Sequence, residues 1–403
     1  MSVTILSPLE RIPILPPELI DETIDHLWDD HKALEACSLT SRSWVPSSRL
    51  HLFRTVRVRS AEDCIKLSAL LQSSPIIAHC IRKLTIDAEY KGVDEDGTPS
   101  EDDSWVNEAT GLLSKLRRVH TLALSRVKWT SLSYSTRNAF TSVFSTVKTL
   151  LLFEVQFHAS GDVLRFLSRF PVLSELYFHG VSWDRETPPP EPEDYHLGEH
   201  MDLTYLFLDP KSSPTLVTEW LLRHPSEKKL RTIQLCWREI ENTETLGALL
   251  QSSGSDLECL RVEFPSGLSE EALLRNQLTL AHNTGLRTLH FGGLDVTAAT
   301  ARTLFSDRLF TWIAVMLGQV RSSLLREVVF ELELPEVHDL QSLDWTRINR
   351  ELSRPEFDGL LLRFYVNCTR RDRSPSLEAE ILREVESRLP DFIEQGSLRV
   401  SCI

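Results

Sequence analysis

The sequence predicts an α/β chain in which a short all-helical segment precedes a long array of strand-and-helix units. Three observations carry this. The motif "VHTLALSRVKW" at Val119 recurs as "VKTLLLFEVQF" at Val147 and "LSELYFHGVSW" at Leu173, all in one register of apolar-x-x-apolar-x-apolar-x-x-Val-x-aromatic. Weaker copies begin at Ile81, Leu203, Leu230, Leu257, Leu286, Leu325 and Phe357, so that successive starts differ by 38, 28, 26, 30, 27, 27, 29, 39 and 32 residues. Between the copies lie stretches of helical periodicity. A period of this length means that each unit buries its apolar face only against its neighbours, which makes a solenoid.

The N-terminal segment comes first in the chain. In "ILPPELIDETIDHLWDD", residues 14–30, Pro17 presets a first helical turn and Glu18, Asp21 and Glu22 place negative charge at the positive helix end. Leu19, Ile20, Thr23, Ile24 and Leu27 then form one face. Asp30 is placed to cap a second helix through "HKALEACSL", with Leu34, Cys37 and Leu39 turned inward. A third segment, "TSRSWVPSSRLHLF", is anchored by Trp44 and interrupted or kinked by Pro46. Some forty residues in three helices hold too little core to stand alone. They must lean on something, either by capping the array or by docking on another protein.

The helices of the array follow the same logic. "SGDVLRFLSRF" sets Val163, Leu164 and Leu167 on one stripe, "TLVTEWLLRH" sets Leu216, Trp220 and Leu221, and "NTETLGALLQSS" sets Leu246, Leu249 and Leu250. A doubly wound α/β domain is the alternative, but it needs no fixed period and its central strands are apolar on both faces; these strands alternate. Two insertions, residues 94–103 ("DEDGTPSEDD") and 187–195 ("TPPPEPEDY"), are acidic or proline-rich and read as solvated loops.

Two resemblances follow from these residues. From about residue 81 onward the chain resembles an irregular leucine-rich-repeat horseshoe with one strand and one helix per repeat, except that Val127, Val155 and Val181 stand where that family sets an Asn or Cys. Leu15-Pro16, Glu18-Leu19, Ile24, Leu27, Leu34, Arg42 and Trp44 fall at the spacing of the F-box, a three-helix module, with Thr40 and Ser41 departing from the Val and Cys the family prefers. The resemblance therefore implies three segments: a tail over 1–13, an F-box over 14–58, and a leucine-rich-repeat solenoid over 59–403.

The F-box resemblance implies docking on a Skp-type adaptor, and through it a cullin, by Leu15, Pro16, Leu19, Ile24, Leu27, Leu34 and Trp44. Five apolar side chains withdrawn from water at roughly 1.5–3 kcal/mol each give about 8–15 kcal/mol before association costs. The repeat resemblance implies a concave face carrying Thr149, Leu151, Phe153, Glu175, Tyr177, His179, Tyr205, Phe207 and Asp209. Of these, Phe153, Tyr177, His179, Tyr205 and Phe207 are the expected target-binding residues, with Arg261, Glu263, Glu331 and Arg363 extending the face. The function implied is a non-catalytic substrate receptor of a Skp/cullin/F-box ubiquitin ligase; the alternative is an interaction scaffold that delivers no ubiquitin.

Other chemistry finds little footing. The formal charge of −14 repels phosphate backbones, so no nucleic-acid partner is expected. The one metal-like motif, "HLGEH" at residues 196–200, has two histidines at i and i+4, but Gly198 lies between them and prolines precede it, so no metal or cofactor is expected. No phosphate loop and no G-x-S-x-G elbow occurs. The seven cysteines are scattered and read as reduced thiols. The longest apolar run, "LFTWIAVML" at Leu309, is too short to cross a bilayer, and the N-terminus lacks the pattern of a secretory signal. A cytoplasmic or nuclear protein without a membrane partner is the expectation.

Overall fold

A computed structural model describes residues 16–88, 104–187, 202–209, 211–223, 229–237, 243–265, 268, 270–275, 278–296, 309–368 and 375–402. The chain is mixed α/β, and its main strands run parallel in chain order without closing a barrel. It divides into two compact units, residues 1–123 with 132–146, and residues 124–131 with 147–403.

The first unit opens with α1 (Pro17–Asp25), α2 (His31–Thr40) and α3 (Val45–Leu52). Pro17 occupies the first position of α1, and the Asp30 carboxylate caps α2 by accepting from the Ala33 backbone N–H at 3.0 Å. Pro46 sits in the first turn of α3, where its missing N–H costs nothing, so it starts that helix instead of kinking it. Helix α3 is tied to α1 by Ser47 donating to Asp21 and by His51 Nε2 lying 2.6 Å from Asp25 Oδ1. Then come β1 (Thr55–Val58), α4 (Ala61–Ser73) and β2 (Lys83–Asp87). Strand β1 pairs in parallel with β2, Thr55 opposite Lys83, a strand that the sequence motif did not reveal. Further along lie α5 (Thr110–Leu113), β3 (Thr121–Ser125), at which the two units divide, and α6 (Tyr134–Ser142), capped by Ser133.

The second unit carries β4 (Thr149–Phe153), β5 (Gln156–Ala159), α7 (Ser160–Leu167), β6 (Glu175–His179), β7 (Ser182–Arg185), β8 (Tyr205–Leu208), α8 (Pro214–Arg223) and β9 (Thr232–Cys236). It continues through α9 (Thr243–Ser253), β10 (Cys259–Glu263), α10 (Glu270–Arg275), β11 (Thr288–Asp295), α11 (Thr311–Gln319) and β12 (Glu327–Leu334). It ends with α12 (Trp345–Leu352), β13 (Leu361–Cys368), α13 (Pro375–Arg388), α14 (Pro390–Glu394) and β14 (Leu398–Cys402). From β4 to β14 each main strand pairs with the next in sequence, so the order never reverses as it does in a doubly wound sheet. A two-stranded parallel ladder, β5 with β7, lies apart.

The expected strand phase holds from β4 to β12: Leu150 and Leu152, Leu176 and Phe178, Leu206 and Leu208, and Val328 and Phe330 are all buried. Register then aligns Phe291, Phe330 and Phe364, with ring centroids 5.4 and 4.6 Å apart, the first pair tilted and the second stacked. At β13 the register is two residues later than the copy at Phe357 requires, because Leu362, not Leu360, pairs with Val328, while the phase is kept. Strand β14 was not among the expected copies. Helices α7 and α9 bury their expected stripes; in α8 Val217 is buried with Trp220 and Leu221, while Leu216 is half-exposed.

The three valines at the unusual repeat position are all buried. What ties down the turn there is backbone geometry. Arg126, Glu154 and Gly180, each just before its valine, take positive φ of 56°, 52° and 64°. The Arg126 N–H donates to Phe153 O at 2.7 Å, Glu154 N–H to His179 O at 2.6 Å, and Gly180 N–H to the Asp209 carboxylate at 2.9 Å. A staircase of amide donors takes the place of an Asn side chain. Among the described residues no helix is long and apolar enough to cross a membrane. The acidic loop 94–103, most of the proline loop and His196, Gly198 and His200 lie outside the described residues.

Candidate functional site

Two surfaces gather the site residues, one in each unit. In the helical unit, Ile24 and Leu34 are fully buried, so they hold α1 and α2 in place and are closed to a docking partner, contrary to the expected role. Leu27 and Trp44 are half-buried, Pro16 is exposed and Leu15 lies outside the described residues. The open large apolar residues are Leu19 at 47%, Trp28 at 63%, Leu39 at 87% and Leu50 at 40% exposure. Leu39 thus points outward, not inward, while Trp28 was missed because it stands in the turn after α1, beyond the stripe. Between that turn and the end of α3 an open pocket of about 890 Å³ is lined by Asp25, Trp28, Asp29, His31, Leu50 and His51.

In the second unit, alternation in β4, β6 and β8 buries one set of side chains and leaves the other on an open face. Phe153, 39% exposed, stacks on His179 with ring centroids 4.6 Å apart and planes within 6°. Strand pairing sets Tyr177 opposite Phe207, and Glu175 opposite Tyr205. The Tyr177 ring stacks on Tyr205 at 4.7 Å and lies 6.4 Å from Phe207. The five expected target-binding residues therefore lie on one face of three neighbouring strands in two ring groups, Phe153 with His179 and Tyr177 with Tyr205 and Phe207. Burial pushes the Tyr177 phenol up to about 12, with Tyr205 and the Glu175 carboxylate adding to it.

Asp209 departs from expectation. It is buried instead of lining the face, and its carboxylate accepts from Gly180 N, Ser212 N and Ser212 Oγ at 2.7–2.9 Å. It also lies 3.3 Å from His179 Nδ1. A carboxylate at that nitrogen holds the ring in the tautomer whose Nε2 is an acceptor, on the ring edge away from Asp209. The sequence signal was the Asp-x-x-Ser spacing directly after a strand, a turn-capping pattern.

The extension residues behave differently. Arg261 donates through Nη2 to Glu263 at 2.8 Å and to Glu331 at 2.5 Å, and His290 Nε2 lies 3.3 Å from Glu331. The His290 imidazole beside it, reinforced by the Arg261 charge, holds the Glu331 carboxyl below its usual range. Arg363 Nε reaches Glu327 at 2.5 Å. Gly292 and Gly293 form a bulge against β12, and a Cβ on Gly292 would lie 2.8 Å from Glu263 Oε1. Two glycines inside a strand were the available signal.

Among the described residues, no group of three or more His, Cys, Asp or Glu side chains is placed to hold a metal, and the cysteines are free thiols. Burial, then the charges of Glu108 and Asp63, pushes the Cys64 thiol up to about 11, which keeps it protonated and inert near neutrality. The chemistry these surfaces offer is recognition: rings, a braced imidazole and exposed apolar side chains. No protein-family model matches the chain, and no curated protein matches it in sequence.

Proposed function

We propose that the chain is the non-catalytic substrate-recognition subunit of a Skp/cullin/F-box ubiquitin ligase in the cytoplasm or nucleus. In this reading the three N-terminal helices are an F-box that docks a Skp-type adaptor and, through it, a cullin. Residues 59–403 are an irregular leucine-rich-repeat solenoid, and its open face binds the protein target.

The observation that carries the reading is the exposure of Leu19 on α1, Trp28 in the turn after it and Leu39 on α2, beside a small core that buries Ile24 and Leu34. Covering three such side chains at about 1.5–3 kcal/mol each yields about 5–9 kcal/mol before association costs. A helix pair gains nothing from leaving them in water, and a docking face needs them there.

The test uses residues that the helical core does not need. Trp28→Asp with Leu39→Asp should abolish capture of a purified Skp-type adaptor and leave the melting curve of the chain unchanged. Ile24→Asp, by contrast, buries a carboxylate and should unfold the helices. Undiminished adaptor capture by the folded double variant would refute the F-box assignment.

A further inference from the structure

We propose that the aromatic group on β4, β6 and β8 receives a basic side chain, arginine or lysine, from an extended segment of the target. This rests on the reading that the open face binds the target, and it adds the chemistry of the anchor.

The rings supply the first argument. Phe153 with His179, and Tyr177 with Tyr205, form two stacked pairs on neighbouring strands, half-open to solvent. Aromatic faces carry negative electrostatic potential and attract guanidinium and ammonium groups, while the aliphatic stem of the same side chain covers the ring carbons. An apolar anchor would use the area alone; a basic one uses the area and the potential.

Charge supplies the second. Strands β4, β6, β8 and β9 contain no Lys or Arg, whereas Glu175 stands beside Tyr177 and Asp209 lies behind His179. The nearest strand guanidinium along the face, Arg261 on β10, is already held by Glu263 and Glu331. An acidic or phosphorylated segment would therefore meet carboxylates and a cation that is already engaged. The net charge of −14 favours encounter with basic segments at long range as well.

The imidazole supplies the third. With Nδ1 directed at buried Asp209, His179 offers Nε2 as an acceptor beside the Phe153 ring. Arg and Lys bring only donors, so they complement this atom, whereas a carboxylate would oppose it.

The experiment is fluorescence anisotropy of the full chain with a labelled peptide of alternating arginine and serine. Its lysine, glutamine, glutamate and phosphoserine counterparts are measured alongside. The arginine and lysine peptides should bind, weaken as salt rises, and exceed the other three by about tenfold. Tyr177→Ala should weaken them by about tenfold, and Glu175→Gln, which keeps the packing, by about threefold. Melting curves confirm that each variant is folded. Equal binding of all five peptides, preference for glutamate or phosphoserine, or indifference of a folded Tyr177→Ala to the arginine peptide would overturn the inference. A target that needs Tyr177 but docks through a neutral or acidic segment overturns the basic anchor and leaves the open face as the target site. A target indifferent to Tyr177, Phe207 and Glu175 overturns both.

Discussion

The open face of the main sheet changes character between β8 and β10. On β4, β6 and β8 it is a set of stacked rings whose outer surfaces still meet water. On β10 to β13 it is a set of ion pairs in which Arg261, Glu263, His290 and Glu331 engage one another, as do Arg363 and Glu327. The same alternation places both sets outward, so the difference lies in what the side chains have left to offer. A charge held by two partners at hydrogen-bond distance has little remaining affinity for a third. A ring stacked on one side keeps its other side and edge for a ligand. On the proposed reading the ionic half serves stability and the aromatic half recognition.

The largest effect that separates burial from exposure comes from removing a ring of each kind. Phe330, buried between Phe291 and Phe364, should cost about 3–5 kcal/mol as Phe330→Ala. Phe207→Ala, on the open face, should cost about 1 kcal/mol and act instead on binding. Urea titration of both checks the ordering. Similar losses of stability for the two would mean that the open face is covered and structural.

A smaller effect tests the ionic half. Glu331→Ala removes a partner from both Arg261 and His290 and should cost about 1–2 kcal/mol, less than a fully buried pair because both Arg261 and Glu331 stay partly exposed. Its pH dependence has a definite sign. The folded state holds the Glu331 carboxyl below its ordinary range, so this stability is complete above that range and is lost as pH falls through the folded value. Melting followed from neutral to acidic pH should therefore fall less steeply for Glu331→Gln than for the parent chain. An unchanged acid slope would remove Glu331 from the account.

The sequence made the strand faces readable because a period of two has only two phases, and the buried Leu150, Leu152, Leu176 and Phe178 follow it. At β13 the phase still holds, since Leu360, Leu362 and Phe364 are all buried, but the register was not readable: an offset of two residues keeps every side chain on its face, and only pairing with β12 decides. The cap at Asp30 was readable because capping is local. The division of labour in the helical unit was not. An apolar stripe shows which residues avoid water, but not whether a sister helix or another protein covers them, and so Ile24 and Leu34 looked like docking residues and Leu39 like core. The amide staircase at Arg126 and Glu154 was equally hidden, since neither residue type announces a positive φ. Asp209 looked outward by strand phase, yet its carboxylate turned inward to the Gly180 and Ser212 donors.

Calorimetric titration of the arginine peptide into the parent chain, Tyr177→Ala and Arg261→Ala, with a melting curve for each, tests the division between the two halves most directly. The account predicts that Tyr177→Ala loses binding with nearly parental melting, and that Arg261→Ala retains binding but melts earlier. Loss of binding in Arg261→Ala, together with undiminished binding in Tyr177→Ala, would contradict it.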